Sequence, residues 1–240
     1  MTIGIIGFGR FGKFYSDIWK QFGSVIVYSH RDVSKDCAEM GIAQGTLKNV
    51  CLADIVIIAC AISDFEKTVK EIRNFLRHGT IVMDVCSVKI MPCVAMKKYF
   101  PKKIELLGTH PMFGPDSAKN GLIGLKMVLC PVRISDENLS FIKNYFKKLH
   151  LEIIETTSKI HDKESARSLC MVHFLGRGLE KLNIKKMPIS TMGYERVLQV
   201  SENVTNDSME LFRDMQKFNP YAKKEREKLL KALYQIDKKF

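Results

Sequence analysis

No stretch of this chain approaches the roughly 18 consecutive apolar residues that a helix needs to cross a bilayer. The N-terminus runs straight into Ile3-Gly4-Ile5-Ile6 without the charged-then-apolar layout of a secretory signal. A cytoplasmic location without membrane contact is therefore expected. The seven cysteines (Cys37, Cys51, Cys60, Cys86, Cys93, Cys130 and Cys170) are scattered and odd in number, and no pair has metal-knuckle spacing. They read as reduced core thiols, and no metal is expected. Internal repeats and low-complexity linkers are missing too. What remains, 240 residues of which 46% are hydrophobic, suffices for one large or two modest domains with real cores.

Acidic residues are in deficit. Against 38 Lys and Arg stand 26 Asp and Glu, a formal charge of +12. The lysines crowd at Lys97-Lys98, Lys102-Lys103, Lys147-Lys148, Lys185-Lys186 and Lys223-Lys224, but no nucleic-acid motif or aromatic-interleaved basic patch accompanies them. They read as solvated faces whose field favours small polyanions, and no nucleic-acid partner is expected.

Ile3 to Ile6 reads as a strand that runs into Gly7-Phe8-Gly9-Arg10-Phe11-Gly12, followed by a helical pattern with Phe14, Ile18 and Trp19. This is G-x-G-x-x-G in the context it requires. Gly7 makes the tight turn, Gly9 lets the backbone approach a pyrophosphate, and Gly12 lets the helix pack close, with the helix N-terminus aimed at the phosphates. Further strands are expected at Ser24–Tyr28, Asp54–Cys60 and Thr80–Val85, with Lys126–Cys130 and Leu151–Ile154 completing the sheet. The second strand ends in Ser29-His30-Arg31, where an NAD-preferring protein usually carries an acid. A hydroxyl and a guanidinium suit a 2′-phosphate, which favours NADP. Asp32 lies one residue on and keeps NAD possible.

A second constellation centres on Gly108-Thr109-His110-Pro111-Met112-Phe113-Gly114-Pro115. The apolar Ile104, Leu106 and Leu107 read as a short buried strand, and His110 then sits at its exit in a turn stiffened by Pro111 and Pro115. An imidazole there can act as a general acid or base, or simply bond the loop. The loop Cys60-Ala61 after the fourth strand and the loop Asp84-Val85-Cys86-Ser87-Val88-Lys89 after the fifth leave the same carboxyl edge. Ser87, Lys89 and His110 are thus expected to converge on the nicotinamide end of the crevice, although Ser87 alone also suits an ordinary turn.

The pattern turns helical near Ser158. Two domains follow: residues 1–157 as a Rossmann-like, doubly wound α/β domain and 158–240 as a smaller all-helical substrate-binding and dimerisation domain. One helix is expected from His161 to Leu182, with Ala166, Leu169, Cys170, His173, Phe174 and Arg177 on its inner face. A buried Arg177 needs an anionic partner, either Glu180 or a substrate carboxylate. The segment Glu195–Gln216, with Val197, Leu198, Val204, Met209, Leu211, Phe212 and Met215, is apolar enough to suggest packing against a second copy.

The glycine turn, the Asp84–Lys89 and Gly108–Pro115 segments, His161-Asp162, His173-Phe174-Leu175-Gly176-Arg177, and Gly193-Tyr194-Glu195 leading to Asn206-Asp207-Ser208 stand in one order along the chain. Together they resemble the prephenate/arogenate dehydrogenases of tyrosine biosynthesis, and the His-Pro-Met-Phe-Gly-Pro form and the Gly-Tyr-Glu tail look most like arogenate-type members. The resemblance implies an NAD(P)-dependent oxidative decarboxylation of a cyclohexadienyl dicarboxylate. His110 would accept the C4 hydroxyl proton as hydride leaves, Ser87 would orient that pair, and His173, Arg177, Arg196 and Arg213 are candidates to hold the substrate carboxylates. Glu202 falls near the place where an ungapped alignment puts the family's substrate-binding arginine. Neither a regulatory domain after Phe240 nor a chorismate mutase segment is expected, so control by tyrosine through a separate domain is not expected either. Two other readings stay open. One is another β-hydroxyacid-type NAD(P)-dependent dehydrogenase, which commonly relies on a lysine base in the helical domain; the other is a non-catalytic nucleotide-binding regulator.

Overall fold

In the computed structural model, which describes residues 1–240, the aliphatic runs of the first part assemble into one eight-stranded sheet. The elements in order are β1 (Thr2–Ile6), α1 (Arg10–Trp19), β2 (Ser24–Tyr28), α2 (Ser34–Met40), β3 (Ala43–Gln44), α3 (Leu47–Cys51), β4 (Ile55–Ile58), α4 (Phe65–Ile72), β5 (Ile81–Asp84), α5 (Ile90–Tyr99), β6 (Glu105–Pro111), β7 (Lys126–Arg133), α6 (Asp136–Lys148) and β8 (Glu152–Glu155). They are followed by α7 (Ser158–Arg167), α8 (Leu169–Lys181), α9 (Met192–Thr205), α10 (Met209–Phe218) and α11 (Ala222–Asp237). The chain divides into two units, Met1–Ser158 and Lys159–Phe240.

In the first unit the strand order is β3-β2-β1-β4-β5-β6-β7-β8, parallel throughout except between β6 and β7. The order reverses at the β1–β4 pair, the switch point outside which open α/β sheets bind ligands. β4 and β5 are buried along their whole length, which is why both read as unbroken aliphatic runs rather than alternating ones. On one face α1 and α6 meet through Trp19, whose indole stacks on Tyr145 at 4.0 Å and 9° and takes Phe146 edge-on. Such ring pairs add about 0.5–1.5 kcal/mol beyond their burial. α5 lies so close to β6 that a Cβ on Gly108 would come within 2.6 Å of Cys93 Sγ.

Two departures from the sequence reading matter. β6 continues to Pro111, so His110 is a strand residue opposite Val128 rather than part of a turn. The antiparallel β7 supplies ladder partners that the local Gly and Pro signals gave no hint of, and Met112 N–H still donates to Lys126 O at 2.9 Å. The two-residue β3, with no apolar alternation to announce it, was not expected at all.

In the second unit, described by itself, α8 and α9 pack tightly, because a side chain at Gly176 would overlap Val204. The single helix expected from His161 to Leu182 is interrupted at Ser168, whose φ of −101° and ψ of −80° are not helical. Its hydroxyl donates to Glu164 O at 2.9 Å, a local bond that competes with continuation of the helix. Thr191 caps α9 and Ser208 caps α10. No helix is long and apolar enough to cross a membrane.

Candidate active site

Gly7 has φ +106°, and its N–H donates to Tyr28 O at 2.9 Å, tying the turn after β1 to the end of β2. A side chain at Gly7 would overlap Ala59 O, and one at Gly12 would overlap Gly7 O, whereas a Cβ on Gly9 would meet nothing within 4 Å. Two glycines are therefore required by the protein's own packing. The third keeps clear a surface that the protein itself does not use. α1 starts directly after Gly9 with no side-chain cap on its N–H groups, leaving donors and the positive end of the helix dipole for a phosphate. These features fit a dinucleotide. Of the neighbouring residues, Phe8 belongs to the core, Phe11 packs on Phe14 and Tyr15, and Arg10 is ion-paired with Asp116.

At the tip of β2, Ser29 Oγ accepts Arg31 N–H at 3.2 Å, and His30 Nδ1 lies 3.2 Å from the Tyr28 hydroxyl. The Arg31 side chain is exposed. Asp32 is engaged elsewhere: its carboxylate accepts Ser34 N–H at 2.9 Å at the start of α2, and that bond holds its pKa below the usual value. Gln44 fixes the segment from the far side, donating to Arg31 O at 3.1 Å and accepting from Val33 N at 3.0 Å. Cys60 and Ala61, in the loop after β4, are half-buried, and burial pushes the Cys60 thiol up to about 11.

Beyond β5 the structure corrects the expectation for Lys89. Instead of opening on the crevice with Ser87 and His110, its side chain is wholly buried and its ammonium binds the equally buried Asp84 carboxylate and Thr109 O, the latter at 2.6 Å. Asp84 also accepts Cys86 N–H at 3.0 Å and Thr109 N–H at 3.1 Å, and the Thr109 hydroxyl donates to Asp84 O. Burial, the largest single influence, pulls the Lys89 pKa down, but the Asp84 charge and hydrogen bond together with the neighbouring Cys86 and Cys93 turn the net shift upward, so the ammonium persists. Cys86 is pushed well above its ordinary value by burial and stays a thiol. Ser87 lies within this anchored loop at 9% exposure, and its Oγ has no hydrogen-bond partner. His110, one residue beyond Thr109, is 5% exposed.

In the helical unit, His173 and Arg177 are both buried on α8 and meet Asp207. His173 Nε2 lies 3.7 Å from its carboxylate, and Arg177 donates to its carbonyl oxygen and, at 3.0 Å, to Glu180. His173 Nδ1 and Arg177 Nε are buried without partners. Desolvation lowers the His173 pKa, partly countered by Asp207 and reinforced by Arg177. Arg213 lies apart from them, in a cavity of about 380 Å³ lined with Phe174, Phe212, Gln216, Lys217 and Arg226. Arg196 is exposed on α9 and does not line that cavity. A buried pair that the sequence offered only as a motif is His161–Asp162, joined at 2.8 Å, with Asn219 Nδ2 donating to Asp162 O at 2.8 Å. Adjacent His and Asp in an otherwise polar helix were the available signal.

Residues 18–155, more than half of the chain, match the family described as "Prephenate dehydrogenase, nucleotide-binding domain", and residues 178–240 match "TYRAAT1-like, C-terminal domain". The chain is 34% identical over 251 residues to arogenate dehydrogenase 2, chloroplastic, of Arabidopsis thaliana, covering 99% of this chain and 69% of that protein. It is 33% identical to arogenate dehydrogenase 1, chloroplastic, of the same plant, covering 95% of this chain but only 37% of the relative's length. Among solved structures, prephenate dehydrogenase from A. aeolicus in complex with hydroxyphenyl propionate and NAD+ superposes with a TM-score of 0.79 at 17% identity, covering 99% of this chain and 90% of that one.

Proposed function

The chain belongs to the prephenate/arogenate dehydrogenase family, and on that premise we propose that it is an NAD(P)-dependent dehydrogenase that oxidatively decarboxylates arogenate or prephenate in tyrosine biosynthesis. The observation that carries this reading is one buried network that holds Cys86 and Thr109, the residues directly before Ser87 and His110, with the Ser87 hydroxyl left unpartnered in the loop after β5. A dinucleotide held by the turn Gly7–Gly12 supplies, when bound, the acceptor for a hydride from ring C4. His110 accepts the C4 hydroxyl proton as that carbon is oxidised, and Ser87 orients the hydroxyl toward the imidazole. Loss of the ring carboxylate as carbon dioxide leaves its electron pair to aromatise the ring. That loss of carbon dioxide with aromatisation makes the step irreversible, and the oxygen then regains a proton as a phenol.

NADP is the favoured cofactor, because Arg31 is exposed at the tip of β2 while Asp32 is held at the start of α2. Within the second unit, Arg213 lies in a cavity with Lys217 and Arg226 and is the best suited to a carboxylate among His173, Arg177, Arg196 and Arg213. Arg177 already has Glu180 and Asp207 as partners. The protein acts as a homodimer, and its seven free thiols suit a reducing compartment such as the cytoplasm.

The test is the absorbance of reduced cofactor with arogenate and prephenate, each offered NADP and NAD, for the wild type and Arg31→Ala. NADPH formation with one of the substrates is expected, and Arg31→Ala should weaken NADP far more than NAD. Silence in all four mixtures from folded, cofactor-binding protein overturns the reaction, and equal losses for both cofactors place recognition of the 2′-phosphate elsewhere.

A further inference from the structure

We propose that the buried Asp84 carboxylate and Lys89 ammonium act as a positioning pair that sets Ser87 and His110 relative to one another. The proposal rests on the roles given above to those two side chains.

The parallel ladder between β5 and β6 stops at Met83 and Leu107, while β6 runs on to Pro111 paired only with β7. Past that point, the loop that carries Ser87 and the strand end that carries His110 are joined by side chains rather than by ladder bonds. Asp84 does most of the joining. One carboxylate oxygen holds Cys86 N–H, directly before Ser87, and the other holds Thr109 N–H, directly before His110. Lys89, two residues after Ser87, closes the ring by binding both that carboxylate and Thr109 O. Thr109 is thereby fixed at its N–H, its carbonyl and its hydroxyl. Each reacting side chain is one peptide away from an anchored residue.

Stability does not account for this arrangement. Both charges are fully desolvated, and a buried ion pair is often matched or exceeded in stability by apolar residues of the same volume. What an apolar pair cannot do is accept two N–H groups and donate to a carbonyl at the same time. That geometry locks register across two strand ends that lack a ladder, and small displacements at such a site are costly for catalysis.

Lys89→Met alone leaves a buried carboxylate unpaired and can prevent folding. The deciding variant is therefore Asp84→Asn/Lys89→Met, which removes both charges and keeps an acceptor on residue 84. Asp84→Asn alone, which removes one carboxylate acceptor from the pair and leaves Lys89 able to donate to Thr109 O, carries the test if the double variant does not fold. Three readouts are compared with the wild type: NADP affinity by calorimetry, kcat and KM, and the imidazole 15N spectrum of the ligand-free protein, with His110 assigned through His110→Asn. The expected result is NADP affinity within threefold, KM within threefold and kcat at least tenfold lower, together with a change of the His110 ring from one tautomer to a mixture. Asp84→Asn shifts kcat and the spectrum in the same direction. An unchanged His110 spectrum, a kcat within threefold, or NADP affinity falling in step with kcat would each overturn the proposal. If the wild type turns over neither substrate, the reaction assignment fails while the spectra of the ligand-free protein still decide the positioning role.

Discussion

His110 shows how far a single residue can be read and where that stops. Its neighbours mark it as placed, and its removal has a defined consequence: His110→Asn keeps a polar side chain of similar reach but cannot take up a proton. Turnover should drop roughly a hundredfold or more with NADP affinity nearly unchanged, because general-base contributions of about 10²–10⁴ vanish while the cofactor contacts stay. Stopped-flow reduction of cofactor and calorimetric NADP binding check both halves, and wild-type turnover would remove His110 from the mechanism. Lys89 was misread because lysine is rarely buried unless paired. The partner that permits its burial, Asp84, stood five residues earlier, but a linear sequence does not reveal that β6 delivers Thr109 to the same point. Arg177 was legible as a buried charge with Glu180 as one candidate partner, whereas Asp207, thirty residues on, was beyond the reach of helical spacing.

At the scale of elements, the strand–turn–helix of β1, Gly7–Gly12 and α1 separates folding from binding in a way that can be measured. Gly9→Ala places its methyl in open space, so the variant should melt with the wild type yet bind NADP at least roughly tenfold more weakly, a loss of about 1.4 kcal/mol. Gly12→Ala drives a methyl into Gly7 O and should cost about 1–3 kcal/mol of stability. By calorimetry that is roughly 2–4 °C in Tm per kcal/mol. If Gly9→Ala melts early and binds normally, the turn is structural only. The same elements explain what was legible. β1, β4 and β5 carry nearly unbroken apolar runs because these parallel strands are covered on both faces, β2 alternates buried with half-buried residues, and the glycine pattern has a fixed place among them. β3 is two residues long, and the extension of β6 depends on a partner strand beginning at Lys126. Neither leaves a local trace. The break at Ser168 lies within an unbroken helical periodicity, where one hydroxyl and its local bond decide the outcome.

For the whole molecule, the proposed homodimer changes its physical basis between sequence and structure. The apolar stripe over Glu195–Gln216 suggested a partner, yet Leu198, Val204 and Met215 are buried inside the helical unit itself. Helical periodicity is the same whether the covering surface comes from the same chain or another. Apolar side chains stay exposed from the end of α8 to the start of α9, among them Leu182, Ile189 and Met192, and in the outer half of α11 and the residues after it, where Leu230, Leu233, Tyr234, Ile236 and Phe240 are all at least 50% exposed. Leu230, Leu233 and Tyr234 share one helix face by their three-and-four spacing, and we take that face as the candidate dimer surface. Since the stretch also carries Lys231, Lys238 and Lys239 against Asp237, with Lys228 paired to Glu225, two copies bring a net like charge together. Screening should therefore strengthen the association: sedimentation velocity is expected to give a dimer whose dissociation constant falls as salt rises through the range where the Debye length shrinks from about 10 Å to about 3 Å. Leu230→Glu/Leu233→Glu adds charge to side chains that are already exposed, so it should give a monomer with wild-type NADP affinity. A wild type that remains monomeric at tens of micromolar (roughly 10⁻⁵ M, where a binding energy near −7 kcal/mol would suffice) rules out the dimer. A dimer that weakens with salt would instead place its interface on charge-complementary surface rather than on this helix.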